Sequence, residues 1–435
     1  VYSYNESVVS YFVLFASLGL TLYGQREISY LQKDKKERSR VFWETLVLGF
    51  ASTSISFFAF LIFIEGKDLK VLLLVMSLNI ISCATDISWF FQGIENFKLI
   101  SIRNLVFKIL NISYVFIFVK SRADLLLYAV GICGFSFLNG FSLWFSLPKY
   151  ISFVPLKDLK PLKRLPTVIS LFVPTIAVQV YTVLDKTMIG AITNDAFQNG
   201  YYEQAVKIVR MVLALITSLG SVMMSRIGLY HSNKETNRLR EALLRSYRFV
   251  WFFSIPLSLG LSAVSSNFIP WFYGTGYDGA IPLLEILSFL IVVIGISNVT
   301  GIQYLIPVGK QGQYTLSVVT GACVNLVLNA ILIPDYQAFG AAVASLIAEV
   351  SVSITQLFLV RKDLPIGRII RSSWKYLVSG IIMFVAVRLE GSILEPSAWN
   401  TAVMVLSGII IYFLALFLLR DCFLKELFSK EKGCV

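Results

Sequence analysis

Two stretches, SLFVPTIAVQVYTVLDKTMIGAI (residues 170–192) and YYEQAVKIVRMVLALITSLGSVMM (residues 201–224), are each long and apolar enough to cross a bilayer as a helix. Both carry charges that a lipid-facing helix should not. Asp185 and Lys186 sit in the first, and Glu203, Lys207 and Arg210 in the second. An Asp, Lys or Arg at mid-membrane costs roughly 2.5–3.5 kcal/mol on insertion scales, so such groups are tolerated where they meet a partner or a watery cavity. These two helices therefore set both the fold class and the place to look for function.

The rest of the chain agrees with a membrane reading. Hydrophobic residues make up 56% of it and charged residues only 15%, and the mean hydropathy is +0.74. A soluble globular protein of this size does not have that composition. The apolar runs are continuous and about 20 residues long, which suits helices rather than the short alternating strands of a barrel. The expectation is an all-α polytopic membrane protein. Its spans lie near 6–24, 42–64, 71–91, 102–119, 125–146, 168–191, 203–224, 247–267, 281–306, 314–334, 338–360, 374–390 and 400–419.

The net charge of +12 is not a nucleic-acid signal, because most of the 38 lysines and arginines fall in loops on one side of the spans. Arg26 to Arg40, Lys149 to Arg164, Arg226 to Arg248, Arg361 to Lys375 and the tail from Arg420 form that side, while the opposite loops hold Lys67, Lys70, Lys120 and Arg122. The positive-inside rule makes the basic side cytoplasmic and places the C-terminus there. Cys83, Cys133 and Cys323 lie in apolar runs, Cys422 and Cys434 in the tail, and His231 in a charged loop. None has metal-ligand spacing, so no metal and no cofactor are expected.

An internal repeat organises the chain. Tyr4 to Leu14 resembles Tyr202 to Leu213, Ser17-Leu18-Gly19 matches Ser218-Leu219-Gly220, and Arg26 and Tyr30 match Arg226 and Tyr230. Gly93 matches Gly309, and the hairpin 102–146 parallels the hairpin 314–360. Residues 1–146 thus read as an N-terminal lobe and 168–360 as a C-terminal lobe. A basic cytoplasmic linker, 147–167, lies between them, and 361–435 hold two extra helices and a tail. The second copy has a helix before Tyr202 that the first copy lacks. A first span, about 30–40 residues with its connection, is therefore expected upstream of Val1. With it, two six-helix lobes would surround a central cavity.

Helical spacing aligns polar residues on single faces. Glu203, Lys207, Arg210, Ala214, Thr217 and Ser221 share one stripe, and Thr175, Gln179, Thr182 and Lys186 another, with Asp185 about a quarter-turn off it. Asn104, Lys108 and Asn111 align in the fourth span; Asn79, Ser82, Asp86 and Trp89 in the third; and Ser345, Glu349, Ser353 and Gln356 in the eleventh. Turning the stripes to a shared aqueous cavity is the simplest arrangement. Plainer roles compete: Glu203 and Lys207 can neutralise each other at i,i+4, Lys108 can snorkel, and Arg26 and Arg226 can anchor topology. Glu285 and Glu349 can pair with cations on other helices or carry an ion. The excess of cations points to an anionic ligand, Arg suiting phosphate as a fork and Lys as a point charge. The amides and hydroxyls beside them suit sugars. Pro174, Pro256 and Pro307 interrupt helices, as bending elements do. No P-loop, Ser-His-Asp set or paired-carboxylate loop is visible, so neither ATP hydrolysis nor catalysis is expected.

At YTVLDKTMIGAI (181–192) and GYYEQAVKIVRMVLALITSLGSVMMSRI (200–227), with SYFVLFASLGLTLYGQREI (10–28) as a second helix, the chain resembles the polysaccharide repeat-unit flippases of O-antigen and capsule synthesis. These belong to the multidrug/oligosaccharidyl-lipid/polysaccharide exporter superfamily. The resemblance runs along the whole chain and implies transfer of an undecaprenyl-pyrophosphate-linked oligosaccharide across a bacterial cytoplasmic membrane by alternating access. It implies a polysaccharide polymerase as a working partner and no enzymatic activity. On that footing Lys186, Lys207, Arg210, Lys108, Gln179, Thr182 and Thr217 are the expected pyrophosphate and glycan contacts. Asp185, Glu285, Glu349 and Asp86 are candidates for coupling to an H+ or Na+ gradient. The competing reading is an ion-coupled drug or metabolite antiporter of the same superfamily, for which a more acidic or aromatic cavity would be expected.

Overall fold

In the computed structural model, residues 2–421 and 423 are described, apart from 68, 122, 123 and 194; side chains are not described at 2–7, 156, 177–184, 187 and 196. Among the described residues there are helices and turns and no strand. In chain order the helices are α1 (Tyr2–Ser17), α2 (Leu20–Tyr30), α3 (Lys35–Phe63), α4 (Lys70–Met76), α5 (Leu78–Thr85), α6 (Ser88–Gly93), α7 (Phe97–Phe118) and α8 (Leu125–Ser142). After a linker of short 3₁₀ turns come α9 (Leu165–Thr193), α10 (Ala196–Ser232), α11 (Thr236–Tyr273), α12 (Ala280–Leu287) and α13 (Leu290–Ser297). A π-helical segment (Asn298–Leu305) leads to α14 (Gln311–Leu359), α15 (Ile366–Arg371), α16 (Trp374–Ile393) and α17 (Ala398–Leu418).

Eleven helical stretches among the described residues are long and apolar enough to span a membrane, and the protein is a multi-pass helical membrane protein. The span expected at 168–191 is α9. Those at 314–334 and 338–360 are the two halves of α14, parted at Gln337 (φ 51°, ψ −131°) three residues after Pro334. Large apolar side chains stand outward, Ile62 at 74% exposure and Phe116 at 75% among them, as lipid rather than water requires.

The chain forms two compact units, residues 1–176 with 224–234, and residues 177–223 with 235–435. In the first, α1 packs on α3 and α5, α2 on α6, and α8 on α5 and α7. Two apolar clusters fill it. One is aromatic, built on Phe42, Trp89, Phe90 and Phe91, and the other is built on Phe60, Met76, Ile80 and Cys133. Gly24 is required at the α2–α6 crossing, since a Cβ there would lie 2.3 Å from the Trp89 ring. In the second unit α16 and α17 pack on α11. Three hydrogen bonds tie them together: Asn267 donates to the Leu394 carbonyl at 2.8 Å, Trp271 to Thr401 Oγ1 at 2.8 Å and Tyr412 to the Phe252 carbonyl at 2.8 Å.

Matched positions of the repeat differ in backbone. Leu18 (φ 46°) and Gly19 (φ 69°) break the chain between α1 and α2, whereas Leu219 and Gly220 lie inside the continuous α10. Gly220 instead gives room to Asn298 of the π-helical segment, whose Oδ1 would lie 2.5 Å from an added Cβ. The two cations read as topology anchors also differ. Arg26 is buried and pairs with Glu27 at 2.7 Å, while Arg226, half exposed, reaches Glu95 at 3.7 Å.

The linker is stitched to the start of α3. Asp34 caps that helix through the N–H groups of Lys36 and Glu37. Arg38 Nη2 donates to the Tyr150 carbonyl at 2.8 Å and Trp43 Nε1 to that of Ser152 at 3.0 Å. Glu44, 1% exposed, accepts from Arg164 Nε at 2.8 Å, Arg40 Nε at 3.3 Å and the Lys160 N–H at 2.9 Å. Hydrogen bonds to a charged group are worth roughly 1.5–3 kcal/mol each. Both arginines are about a third exposed, so solvent screening leaves on the order of 1–2 kcal/mol for the set. Glu44→Ala should therefore raise opening of the linker roughly 5–30-fold. Trypsin cleavage after Lys157 and Lys163 in the detergent-solubilised protein measures it, and a wild-type cleavage rate would show that Glu44 does not hold the linker.

Candidate functional site

The charged pair of helices that opened the sequence meets itself in the second unit. Lys186 on α9 and Lys207 on α10 both reach one carboxylate, Glu203 Oε1, at 3.7 and 3.1 Å. All three side chains keep between 38% and 52% of their surface exposed. Lys186, unpaired within its own helix, thus finds its partner across helices. Arg210 lies one turn beyond Lys207, exposed and without a carboxylate partner among the described residues. Three cations facing one anion leave an excess of positive charge on this surface. Thr217, two turns further along, donates to its own helix at the Leu213 carbonyl, 3.1 Å away, and presents its oxygen. The side chains of Gln179 and Thr182 lie outside the described residues.

Asp185, next in sequence to Lys186, turns the other way into the protein. It is 3% exposed and accepts from Tyr202 Oη at 2.7 Å, Ser345 Oγ at 2.7 Å and Asn329 Nδ2 at 2.6 Å. Asn329 also donates to Asn325 Oδ1 at 3.1 Å, and the Tyr202 and Ser345 oxygens lie 3.0 Å apart, each hydroxyl spending its one proton on the carboxylate. One carboxylate therefore ties α9 to α10 and to both halves of α14. The three donors answer the buried carboxylate, and Asn329 Oδ1 beside them is buried with no donor among the described residues. Tyr202 was legible only as a repeat match. Asn325 and Asn329 stand in the sequence as two amides spaced i,i+4 in an apolar run, the pattern that marks this cluster.

The stripe Ser345, Glu349, Ser353 and Gln356 is corrected by the structure. Ser345, Ser353 and Gln356 are buried rather than turned to an aqueous space. Ser353 donates to the Val293 carbonyl at 3.0 Å and Gln356 to Ser317 Oγ at 3.1 Å, so this face is a hydrogen-bonded packing face. Glu349, half-buried, lies within electrostatic reach of Tyr314. Glu285 pairs with Arg388 Nη1 on α16 at 2.8 Å and accepts from Ser265 Oγ at 3.2 Å, the cross-helix pairing that was weighed against an ion-carrying role.

In the first unit the third-span stripe lines a polar cavity: Asn79, Ser82, Asp86 and Trp89 all border it. Asp86 stands at the break between α5 and α6 and caps α6 through the Ser88 N–H at 2.9 Å. Lys108 on α7 is exposed. Its neighbour Arg103, not singled out by the sequence, lies within electrostatic reach of Asp86, with Nε and Nη1 buried and unpartnered among the described residues.

A family model described as "Polysaccharide biosynthesis protein" matches residues 1–227. The chain belongs to this polysaccharide biosynthesis family. It is similar to the "Putative O-antigen transporter" of Escherichia coli (strain K12), at 23% identity over 83% of this chain and 88% of the relative. It is similar to the protein of the same name in Shigella dysenteriae at 22% identity, over 82% and 90%. Among solved structures, the lipid II flippase MurJ in an inward closed conformation superposes with a TM-score of 0.60 at 18% identity, covering 98% of this chain and 99% of that one. An outward-facing multidrug resistance transporter of the MATE family superposes with a TM-score of 0.67 at 14% identity, covering 84% and 87%. These two likenesses place the family member in the fold of polytopic helical transporters.

The Asp185 cluster yields a stability prediction. Asp185→Ala removes the acceptor of three buried donors. With the carboxylate gone Tyr202 and Ser345, 3.0 Å apart, can bond each other, and Asn329 keeps Asn325, so the expected cost is about 1–3 kcal/mol rather than the sum of three lost bonds. Thermal unfolding of the purified protein in detergent should shift down by several degrees, with Asp185→Asn losing less. An unchanged Tm in Asp185→Ala would show that this carboxylate does not tie α9 to α14.

Proposed function

We propose that this protein is a flippase that carries an undecaprenyl-pyrophosphate-linked oligosaccharide across the cytoplasmic membrane for surface polysaccharide synthesis. The observation that carries the reading is the cationic surface of α9 and α10, where Lys186 and Lys207 share the carboxylate of Glu203 and Arg210 lies exposed one turn beyond. A pyrophosphate is the ligand class that such a surface suits: Arg210 offers a fork of donors and the two lysines point charges. Glu203 spreads the charge and holds the lysines in place until the anion arrives. Membership of a polysaccharide biosynthesis family, O-antigen transporters among the relatives and the likeness to a lipid II flippase support the same substrate class. The sugars would lie along polar faces, and the polyprenyl chain, being hydrocarbon, would remain in lipid. The tail after α17 would lie in the cytoplasm, and the exported unit would pass to a polymerase. Alternating access without chemistry on the substrate makes the protein a transporter, not an enzyme.

Asp185 is the group best placed to couple transport to an ion gradient. A buried carboxylate held by two hydroxyls and an amide N–H can take up a proton, or a sodium ion once those groups turn their oxygens to it, and rearrange its hydrogen bonds as it does so. Its side chain shares α9 with Lys186, one residue away, so a shift at the buried cluster is transmitted directly to the cationic face.

Each charge-assisted hydrogen bond to phosphate is worth roughly 1.5–3 kcal/mol, about tenfold or more in affinity. Lys186→Ala with Arg210→Ala should therefore abolish export of surface polysaccharide while protein level in the membrane stays at wild type. Glycan display, scored by immunoblot beside the protein level, checks it. Wild-type display from the double variant would overturn the pyrophosphate role. In vesicles, flipping by the wild type should respond to an imposed proton or sodium gradient, and flipping by Asp185→Asn should not. Indifference of the wild type to both gradients would remove the coupling role.

A further inference from the structure

The first unit holds a polar cavity of about 220 Å³ bordered by α1, α2, α3, α5, α6 and α8. At about 30 Å³ per water this is the space of roughly seven waters, enough for one six-membered sugar ring. Two broken helices converge on it. Leu18 and Gly19 part α1 from α2 with positive φ, and Asp86, extended at φ −78° and ψ 106°, parts α5 from α6. Interrupted helices at membrane depth are tolerated where they line a polar cavity, and transport sites concentrate at such breaks. Gly140 on α8 permits the approach, since a Cβ there would lie 3.2 Å from Asp86 Cβ.

The lining is acceptor-rich. Ser17, Thr45 and Ser82 each donate to a carbonyl of their own helix, at 2.8, 2.8 and 2.7 Å, and so offer only oxygen lone pairs to the cavity. Asp86 uses Oδ1 on the Ser88 N–H. Asn139 gives its Nδ2 to Asn104 Oδ1 at 3.0 Å, and its own Oδ1 is buried with no donor among the described residues. Yet the cavity is not an anionic one. Arg103 lies within electrostatic reach of Asp86 and shares Asn104 Oδ1 with Asn139, at 2.9 Å from Nη2. Trp89 adds an indole N–H without an acceptor among the described residues and a ring fixed against Phe42 and Gly24. A neutral ligand that brings many donors and has a flat apolar face answers each of these features.

We propose that this cavity is a sugar-binding subsite taking one neutral, hydroxyl-rich ring of the transported glycan, with Asp86 accepting from its hydroxyls. The assignment rests on the flippase reading and adds to it a glycan contact separate from the pyrophosphate surface. It also gives Asp86 a substrate role in place of ion coupling.

The test uses the full-length protein in lipid nanodiscs. Direct binding of tritiated glucose, galactose, rhamnose and N-acetylglucosamine is read by scintillation proximity on the wild type, Asp86→Asn and the cavity-filling Ser136→Phe. At least one sugar should bind the wild type saturably, and both variants should bind it about tenfold or more weakly. Retained binding of bare undecaprenyl pyrophosphate in both variants reports that they are folded. In a Ser136→Cys protein the same sugar should slow N-ethylmaleimide labelling at that position, and sodium should not. Absence of binding by all four sugars, wild-type binding in both variants, or protection by sodium in place of sugar would overturn the subsite. Loss of bare undecaprenyl pyrophosphate binding from the wild type, with sugar binding intact, would instead sink the pyrophosphate surface and leave the subsite standing.

Discussion

Hydrocarbon offers no hydrogen bonds, so every charge that this chain carries into its spans has to be answered by the protein itself. That constraint accounts for the placement of the polar groups more completely than hydrophobic burial does. Three carboxylates in the spans of the second unit show it: Glu203 has two lysines, Asp185 three donors, Glu285 an arginine and a serine. The cations outnumber the anions on the α9–α10 surface, and the remainder of positive charge is what a ligand can use.

The adjacent pair Asp185–Lys186 shows how one helix serves two purposes. A helical step of 100° separates their side chains. That step turns the aspartate into a buried cluster with α10 and α14 and leaves the lysine on an exposed face. A buried carboxylate hydrogen-bonded on several sides is costly to disturb, so it holds α9 in one rotation about its axis. The rotation in turn fixes where Lys186 points. Structural and ligand-facing roles are therefore not alternatives at this pair, since the first positions the second.

Helical class and the cationic face were legible because they rest on periodicity and composition, which are local. The quarter-turn offset of Asp185 from the Lys186 stripe came from the same arithmetic. The partners of Asp185 were not legible, because Asn329 and Ser345 lie far away in sequence and a polar residue in an apolar run looks the same whether it faces water or another polar residue. For that reason the Ser345, Ser353 and Gln356 face read as aqueous and is in fact a packing face. Glu44 was missed for a related cause. It sits in a basic, loop-adjacent stretch, and only the fold brings Arg164 and the Lys160 N–H to it.

The repeat explains why identical short sequences end in different backbones. Ser-Leu-Gly occurs at 17–19 and at 218–220, yet the chain breaks at the first and runs on as a helix through the second. Glycine permits either outcome at little cost, so the neighbours decide. At 19 the backbone of Leu171 and Phe172 lies within 3.3 Å of where a Cβ would be, and at 220 the Asn298 amide takes that place. In both copies the glycine admits a close neighbour, and in both the third span of the repeat loses regular α-helix, at Asp86 in one and at 298–305 in the other. Irregular backbone at matched positions leaves polar groups that a regular helix would satisfy internally. Two copies of one helical plan can thus keep the same scaffold and differ where backbone and side-chain polarity is left available for a ligand.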